Sequence, residues 1–230
     1  MDLWYNFAKS IVGFYTTLFM KTDIRGQERI PDGPKIIVGN HASITDGFVL
    51  PFIIKGKLHF AIMAEVFSLH VIGRLLALAD QIPVVKGQGR EMLKAARKWL
   101  ERGDTVVIFP EGRLNFGASL HRSGAGAAML AMQTGVPVVP LGFYAPPEFI
   151  RIVRTRLFDR ASVGSWQLGG TLFVNIGKPL RVISEEGQRE YHYLRNFTDE
   201  IMQSVANLVR EIQEGGSKKP DYQNPLLNGH

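Results

Sequence analysis

The strand-like segments of this chain are mostly continuous apolar runs, and that limits its architecture more than any other feature. PKIIVGN (34–40), LHFAIM (58–63), QIPVVK (81–86), the start of DTVVIFPEGR (104–113), VPVVPLGFY (136–144) and TLFVNIGKPL (171–180) lack the regular apolar–polar alternation of a sheet with one wet face. Strands of this kind are covered on both sides. Between them lie segments with helical spacing. REMLKAARKWLERG (90–103) puts Leu93, Ala96 and Leu100 on one face and stops at Gly103. EVFSLHVIGRLLALAD (65–80), SGAGAAMLAMQTG (123–135) and the long REYHYLRNFTDEIMQSVANLVREIQEG (189–215) read the same way. DGFVLPFII (46–54) reads as a short helix whose end Pro51 obscures. Strands alternating with helices predict an α/β fold: a single domain with a largely parallel or mixed central sheet flanked by helices. With 230 residues, 45% apolar and 21% charged, the chain can build such a core.

The ends differ from the middle. In LWYNFAKSIVGFYTTLFM (3–20), Leu3, Phe7, Ile11, Phe14, Tyr15 and Leu18 fall on one helical stripe. Asn6, Lys9, Gly13, Thr16 and Thr17 fall on the other side. Lys9 in the middle argues against a membrane span, which needs ~20 mostly apolar residues. The pattern predicts an amphipathic helix lying in a lipid interface. The expected organisation is an interfacial helical segment over 1–22, the α/β domain over 23–215 and a flexible tail over 216–230.

In open α/β sheets, ligands bind beyond the carboxyl ends of the strands. Two strand ends here carry reactive polar groups. After the first, VGNHASITDG (38–47) sets His41 five positions before Asp46. On one straight helix those side chains would stand about 140° apart. They meet if His41 lies in the turn and Asp46 in the first turn of the next helix, with Ser43 or Thr45 as its cap. A carboxylate so placed holds one ring nitrogen of His41 and leaves the other to accept a proton. No G-x-S-x-G elbow supplies a side-chain nucleophile. The proton would then come from a substrate hydroxyl that attacks an acyl carbonyl directly. At the second strand end, PEGR offers a glycine for close backbone approach and Arg113 for bidentate contact with phosphate. Glu111 would orient Arg113 or touch a substrate hydroxyl.

NHASITD resembles the N-H-x-x-x-x-D motif of the 1-acylglycerol-3-phosphate (lysophosphatidic acid) acyltransferases. FPEGR at 109–113 is similar to their second hallmark and VPVVP at 136–140 to their third, in the expected order. The resemblance covers about residues 20–180. It implies transfer of a fatty acyl chain from coenzyme A or acyl carrier protein, as co-substrate, to a lysophospholipid hydroxyl, with no cofactor and no metal. It implies His41 as general base, Asp46 as its orienting partner, and Glu111, Gly112 and Arg113 as the site of the acceptor's glycerol phosphate. It also implies a peripheral or monotopic enzyme on the cytoplasmic face of a membrane. Two positions depart from the family pattern. In PVVKGQGR, Lys86 stands where the family has arginine and Val85 where it has aspartate, with Arg90 close enough to compensate. Met63 stands where many members carry lysine. Both changes fall in the region expected to bind the acceptor's phosphate.

Other readings stay open. The acceptor can be another lysolipid or a glycolipid. A net charge of +6 suits a non-catalytic module for acidic lipid or nucleic acid, although such a binder has no need of His41. A metal-dependent phosphoesterase ranks last, because His59, His70, His121, His192 and His230 lack metal-ligand spacing. The absence of cysteine excludes disulfides and thiolate chemistry. GQGREM (87–92) and GAGAAM (124–129) are incomplete dinucleotide loops. EFIRIVRTRLFDR (148–160), with four arginines, is a basic segment suited to anionic lipid.

Overall fold

The computed structural model describes residues 3–115, 123–157, 160–182 and 190–215. Helix α1 (Leu3–Phe19) leads into strand β1 (Lys21–Arg25). Strand β2 (Lys35–Gly39) follows, then a 3-10 turn at Ile44–Val49 and the single turn α2 (Leu50–Ile53). Next come β3 (Leu58–Met63), α3 (Ala64–Phe67), α4 (His70–Leu78), β4 (Ile82–Val84), α5 (Gly89–Glu101) and β5 (Thr105–Ile108). The chain continues with α6 (Gly126–Thr134), β6 (Val138–Tyr144), the hairpin strands β7 (Ile150–Leu157) and β8 (Arg160–Gln167), β9 (Thr171–Ile176) and α7 (Glu190–Gly215).

Seven strands form one sheet in the order β1-β9-β6-β2-β5-β3-β4. β2 is parallel to both β5 and β6, and β3 is parallel to β5 and β4. β9 runs antiparallel to β6, and β1 pairs parallel with β9. The sheet is therefore mixed, with five strands in one direction and two in the other.

Both faces are dry, as the apolar runs require. Ile36, Val38, Val106, Ile108 and Val138 point to one face and pack on Leu93, Ala96 and Leu100 of α5, on the small residues of α6, and on Phe197, Ile201 and Val205 of α7. Ile37, Val107, Val139, Leu141, Phe143, Leu172, Val174 and Ile176 point to the other. There they meet Val49, Leu50, Ile53 and Ile54, with Tyr5 of α1 at the margin. Each fully buried side chain of this size contributes about 1.5–3 kcal/mol.

Four elements differ from the sequence-based expectation. The helix expected over 65–80 breaks into α3 and α4. A Cβ at Gly73 would lie 1.9 Å from the carbonyl oxygen of Phe67, so only glycine lets α4 double back onto the end of α3. The helix expected over 46–54 is a 3-10 turn followed by α2, with Pro51 in its first turn, where a missing N–H costs no bond. β1 was not expected, and the boundary expected at residue 22 falls inside it. The basic segment 148–160 enters the β7–β8 hairpin, a separate two-stranded sheet. The expected tail over 216–230 lies outside the described residues.

Leu3, Phe7, Ile11, Phe14 and Leu18 of the apolar stripe of α1 are exposed, whereas Tyr15 of the same stripe is half-buried, packs on Phe48 and Trp166 and donates to the carbonyl of Gln167. The side that meets the domain is mixed: Gly13 abuts the ring of Phe52, and Lys9 lies 5.2 Å above the centre of that ring, with Tyr5, Ala8 and Val12 partly buried beside them. α1 packs beside α4, whose Val71, Ile72 and Leu78 are also exposed. Among the described residues, no helix is long and apolar enough to cross a membrane.

Candidate active site

β2 and β5 are adjacent and parallel, so the segments following them leave the same edge of the sheet. At the end of β2, Asn40 extends the pairing with β6 through its side chain. Its Nδ2 donates to the carbonyl of Phe143 (2.9 Å), and its Oδ1 accepts from the N–H of the same residue (2.7 Å). The chain is thus held to the sheet for one residue beyond the strand, and His41 comes next.

Ser43 caps the 3-10 turn that follows. Its side chain accepts from the N–H of Thr45 (3.3 Å), while Asp46 Oδ2 accepts from the N–H of Ser43 (2.7 Å). This reciprocal cap is what brings Asp46 back toward the histidine. Asp46 Oδ2 lies 3.6 Å from His41 Nδ1, with the carboxylate 2% exposed and the imidazole 23% exposed. Nδ1 is buried and makes no hydrogen bond, so the exposed part of the ring lies away from it. The separation is somewhat longer than a hydrogen bond. Such contacts commonly shorten when substrate binds. The ring also stacks on Phe109, 4.2 Å between centres and 15° between planes. Phe109 therefore fixes the plane in which the imidazole can face Asp46.

The second strand end joins the first through Glu111. This carboxylate is buried and accepts from the N–H of His41 (3.2 Å) and from Nδ2 of Asn115 (2.9 and 3.2 Å to its two oxygens). The N–H of Asn115 returns to the carbonyl of His41 (2.8 Å). Glu111 and Asn115 thus grip both sides of the histidine's backbone. Gly112 has φ +62°, in the left-handed region, and donates to the carbonyl of Phe109 (3.0 Å). A Cβ there would meet nothing within 4 Å, so the turn's conformation, not crowding, requires glycine. Arg113 follows, exposed and without a hydrogen bond or ion pair to the described residues.

The structure therefore brings together His41, Asp46, Glu111 and Gly112, with Arg113 on the same turn. Lys86 and Arg90 lie further off. β4 is three strands from β2, about 14 Å at ~4.8 Å per strand. Lys86, two residues past β4, is exposed at the same edge. Arg90, in the first turn of α5, lines a cleft of about 330 Å³ with Lys94, Arg97 and Met129. Met63, at the end of β3, is 54% exposed, on the strand between the one that leads to Arg113 and the one that leads to Lys86. His121 lies outside the described residues. Of the two caps that the sequence offered, Ser43 takes the role and Thr45 does not; Asn40, Phe109 and Asn115 carry structural duties that the sequence alone does not assign. The signal for Asn115 was its place four residues after Glu111, on the same short polar turn.

The sequence model of the family described as Acyltransferase matches residues 21–144. The chain belongs to the acyltransferase family. Residues of this acyltransferase are 33% identical over 128 positions to the chloroplastic 1-acyl-sn-glycerol-3-phosphate acyltransferase of Brassica napus, covering 54% of this chain and 37% of that one. They are 29% identical over 130 positions to the 1-acyl-sn-glycerol-3-phosphate acyltransferase of Pseudomonas aeruginosa, covering 55% and 50%. A lyso-ornithine lipid O-acyltransferase from the same bacterium is 31% identical over 121 positions, covering 52% and 46%. The match thus spans half or less of each of these relatives. The fold is also that of the 1-acyl-sn-glycerophosphate (LPA) acyltransferase PlsC from Thermotoga maritima, with a TM-score of 0.66 at 21% identity over 93% of this chain and 80% of that one.

Proposed function

We propose that this acyltransferase moves a fatty acyl group from a thioester donor, acyl-CoA or acyl carrier protein, to the free hydroxyl of a lysophospholipid at a membrane surface. The preferred acceptor is 1-acylglycerol 3-phosphate and the product phosphatidic acid. The observation that carries this reading is the buried Asp46 carboxylate facing Nδ1 of a partly exposed His41 on the strand end next to the Arg113 turn.

Asp46 favours the tautomer with hydrogen on Nδ1, which leaves the lone pair on Nε2 for the acceptor. Nε2 takes the hydroxyl proton as the oxygen bonds to the thioester carbonyl carbon. The tetrahedral intermediate collapses with cleavage of the carbon–sulfur bond, and the imidazolium returns its proton to the departing thiolate. No side chain is acylated. Arg113 pairs with the acceptor's phosphate, Gly112 lets the backbone approach it, and Glu111 holds the turn against the base. Lys86 adds charge at the far side of the same edge. The outward apolar stripe of α1 supports lipid docking, because a soluble domain buries such a stripe instead.

His41→Ala lowers transfer from a labelled acyl thioester to 1-acylglycerol 3-phosphate by ~10²–10⁴-fold. Wild-type turnover by that variant would remove His41 as the base. A second reading is favoured by Met63 and Val85, which put apolar side chains where family members carry charge, and by the lyso-ornithine lipid relative. On that reading the acceptor is a lysolipid without a phosphomonoester. Mass spectrometry of products from mixed acceptors separates the two.

A further inference from the structure

The β7–β8 hairpin stands outside the main sheet, and neither the motifs nor the proposed chemistry accounts for it. Its second strand nevertheless runs along the loop that carries His41 and Asp46. Ser165 of β8 donates from Oγ to the carbonyl of Ala42 (2.7 Å), and its own carbonyl accepts from Oγ of Ser43 (2.9 Å). Ser43 and Ser165 are both fully buried. One residue earlier, a Cβ on Gly164 would fall 2.9 Å from Cδ1 of Ile44, so the hairpin lies in close contact with the side chain that follows Ser43.

These two bonds clamp the chain between the base and its carboxylate. Ala42 and Ser43 are the first two residues after His41, and the N–H of Ser43 is the group that holds Asp46 Oδ2. A shift of either peptide changes the His41–Asp46 separation directly. That separation, 3.6 Å, sits just beyond hydrogen-bonding reach, so small displacements matter. We infer that Ser165 is a positioning residue for the catalytic pair, and that β8 is the element that sets where His41 meets Asp46. The inference rests on the reading of His41 as base and adds a residue 122 positions away from the motif.

The test is a kinetic cycle on the full chain. Ser165→Ala keeps the strand and removes the hydroxyl. It should lower kcat by at least about tenfold, since misplacing reacting groups by an ångström can cost ~10²-fold. KM for donor and acceptor should stay within about twofold, because Ser165 touches neither. In an Asp46→Asn background the same change should cost little more, since the pair that it aligns is already disabled. Unchanged kcat, an effect confined to KM, or full additivity with Asp46→Asn would each overturn the assignment. If Ser165→Ala melts below the assay temperature, Ser165→Cys, which keeps the shape but offers only a weak donor, is judged by the same three criteria. Failure of the acyl-transfer reading itself is visible separately, as no acylated product from the wild-type chain, and failure of the base assignment as wild-type turnover by His41→Ala.

Discussion

Arg113 stands exposed one residue past a glycine in the left-handed region, on a turn whose one carboxylate, Glu111, is already engaged with the backbone of His41. Its guanidinium is therefore available to an anion from outside the chain. Arg113→Ala should raise KM for 1-acylglycerol 3-phosphate by about tenfold or more, and Arg113→Lys should recover only part of it, because lysine keeps the charge but loses the fork. Steady-state kinetics with varied acceptor measures both; equal KM in all three forms would take Arg113 out of the acceptor site. At this scale the sequence was readable where partners lie close along the chain. His41, Asp46 and the Glu111–Arg113 turn follow strands that announce themselves as buried runs, and five or fewer residues separate the members of each group. Ser165 was not readable. Its contacts are with main-chain groups and a hydroxyl 122 positions away, and no side-chain pattern in RASVGSWQ marks them. The carboxylate of Glu111 also joins the two strand ends through an N–H that any residue but proline at position 41 would supply, so no side-chain pattern announces that bond.

Among the elements, α1 makes the sharpest claim. Phe7 and Phe14 lie on its exposed stripe, so Phe7→Glu with Phe14→Glu should leave the melting temperature within a few degrees while reducing co-sedimentation with phospholipid vesicles at least tenfold. Vesicle binding at the wild-type level would remove α1 from the lipid contact. The helical period of this segment was plain in the sequence, but periodicity alone does not say whether a stripe faces a core or a solvent. That required the contacts of Gly13 with Phe52 and of Tyr15 with Phe48 and Trp166, which leave Phe7 and Phe14 outward. β1 escaped because KTDIR carries three charged residues and a threonine, the composition of an edge strand, not of a buried one. β7 escaped for a different reason. IRIVRTRL does mix apolar and basic residues at nearly strand period, yet three arginines in eight residues equally suit a solvated basic segment. The hairpin they build is small and separate from the apolar sheet on which the fold prediction rested.

For the molecule as a whole, the two-sided sheet was legible because every central strand must be apolar on both faces, and the structure has both faces covered. The antiparallel placement of β9 was not, because strand direction leaves no trace in a buried run. The fold also encloses a cation. Lys35 opens β2, is 3% exposed and donates to the carbonyl of Gly33 (2.5 Å). Burial lowers its pKa from the ordinary 10.5, with Asp32 opposing part of that shift. The unfolded chain therefore holds this proton more tightly than the folded one. The stability that Lys35 withholds at neutral pH is regained as pH rises through the folded pKa toward about 10.4. Urea unfolding of wild type and Lys35→Met across pH 7.5 to 10.5 should show the wild type gaining on the variant as pH rises; a flat or falling difference would refute this. The sheet's edge carries one more consequence. β1 has β9 as its neighbour in the sheet, and Lys21 pairs with Thr171, 150 residues further on. A ribosome adding on the order of ten residues per second leaves β1 waiting about fifteen seconds for its partner. Until that partner exists the outermost pair of the sheet cannot close, so the segment that joins α1 to the sheet is among the last parts of the fold to lock in place.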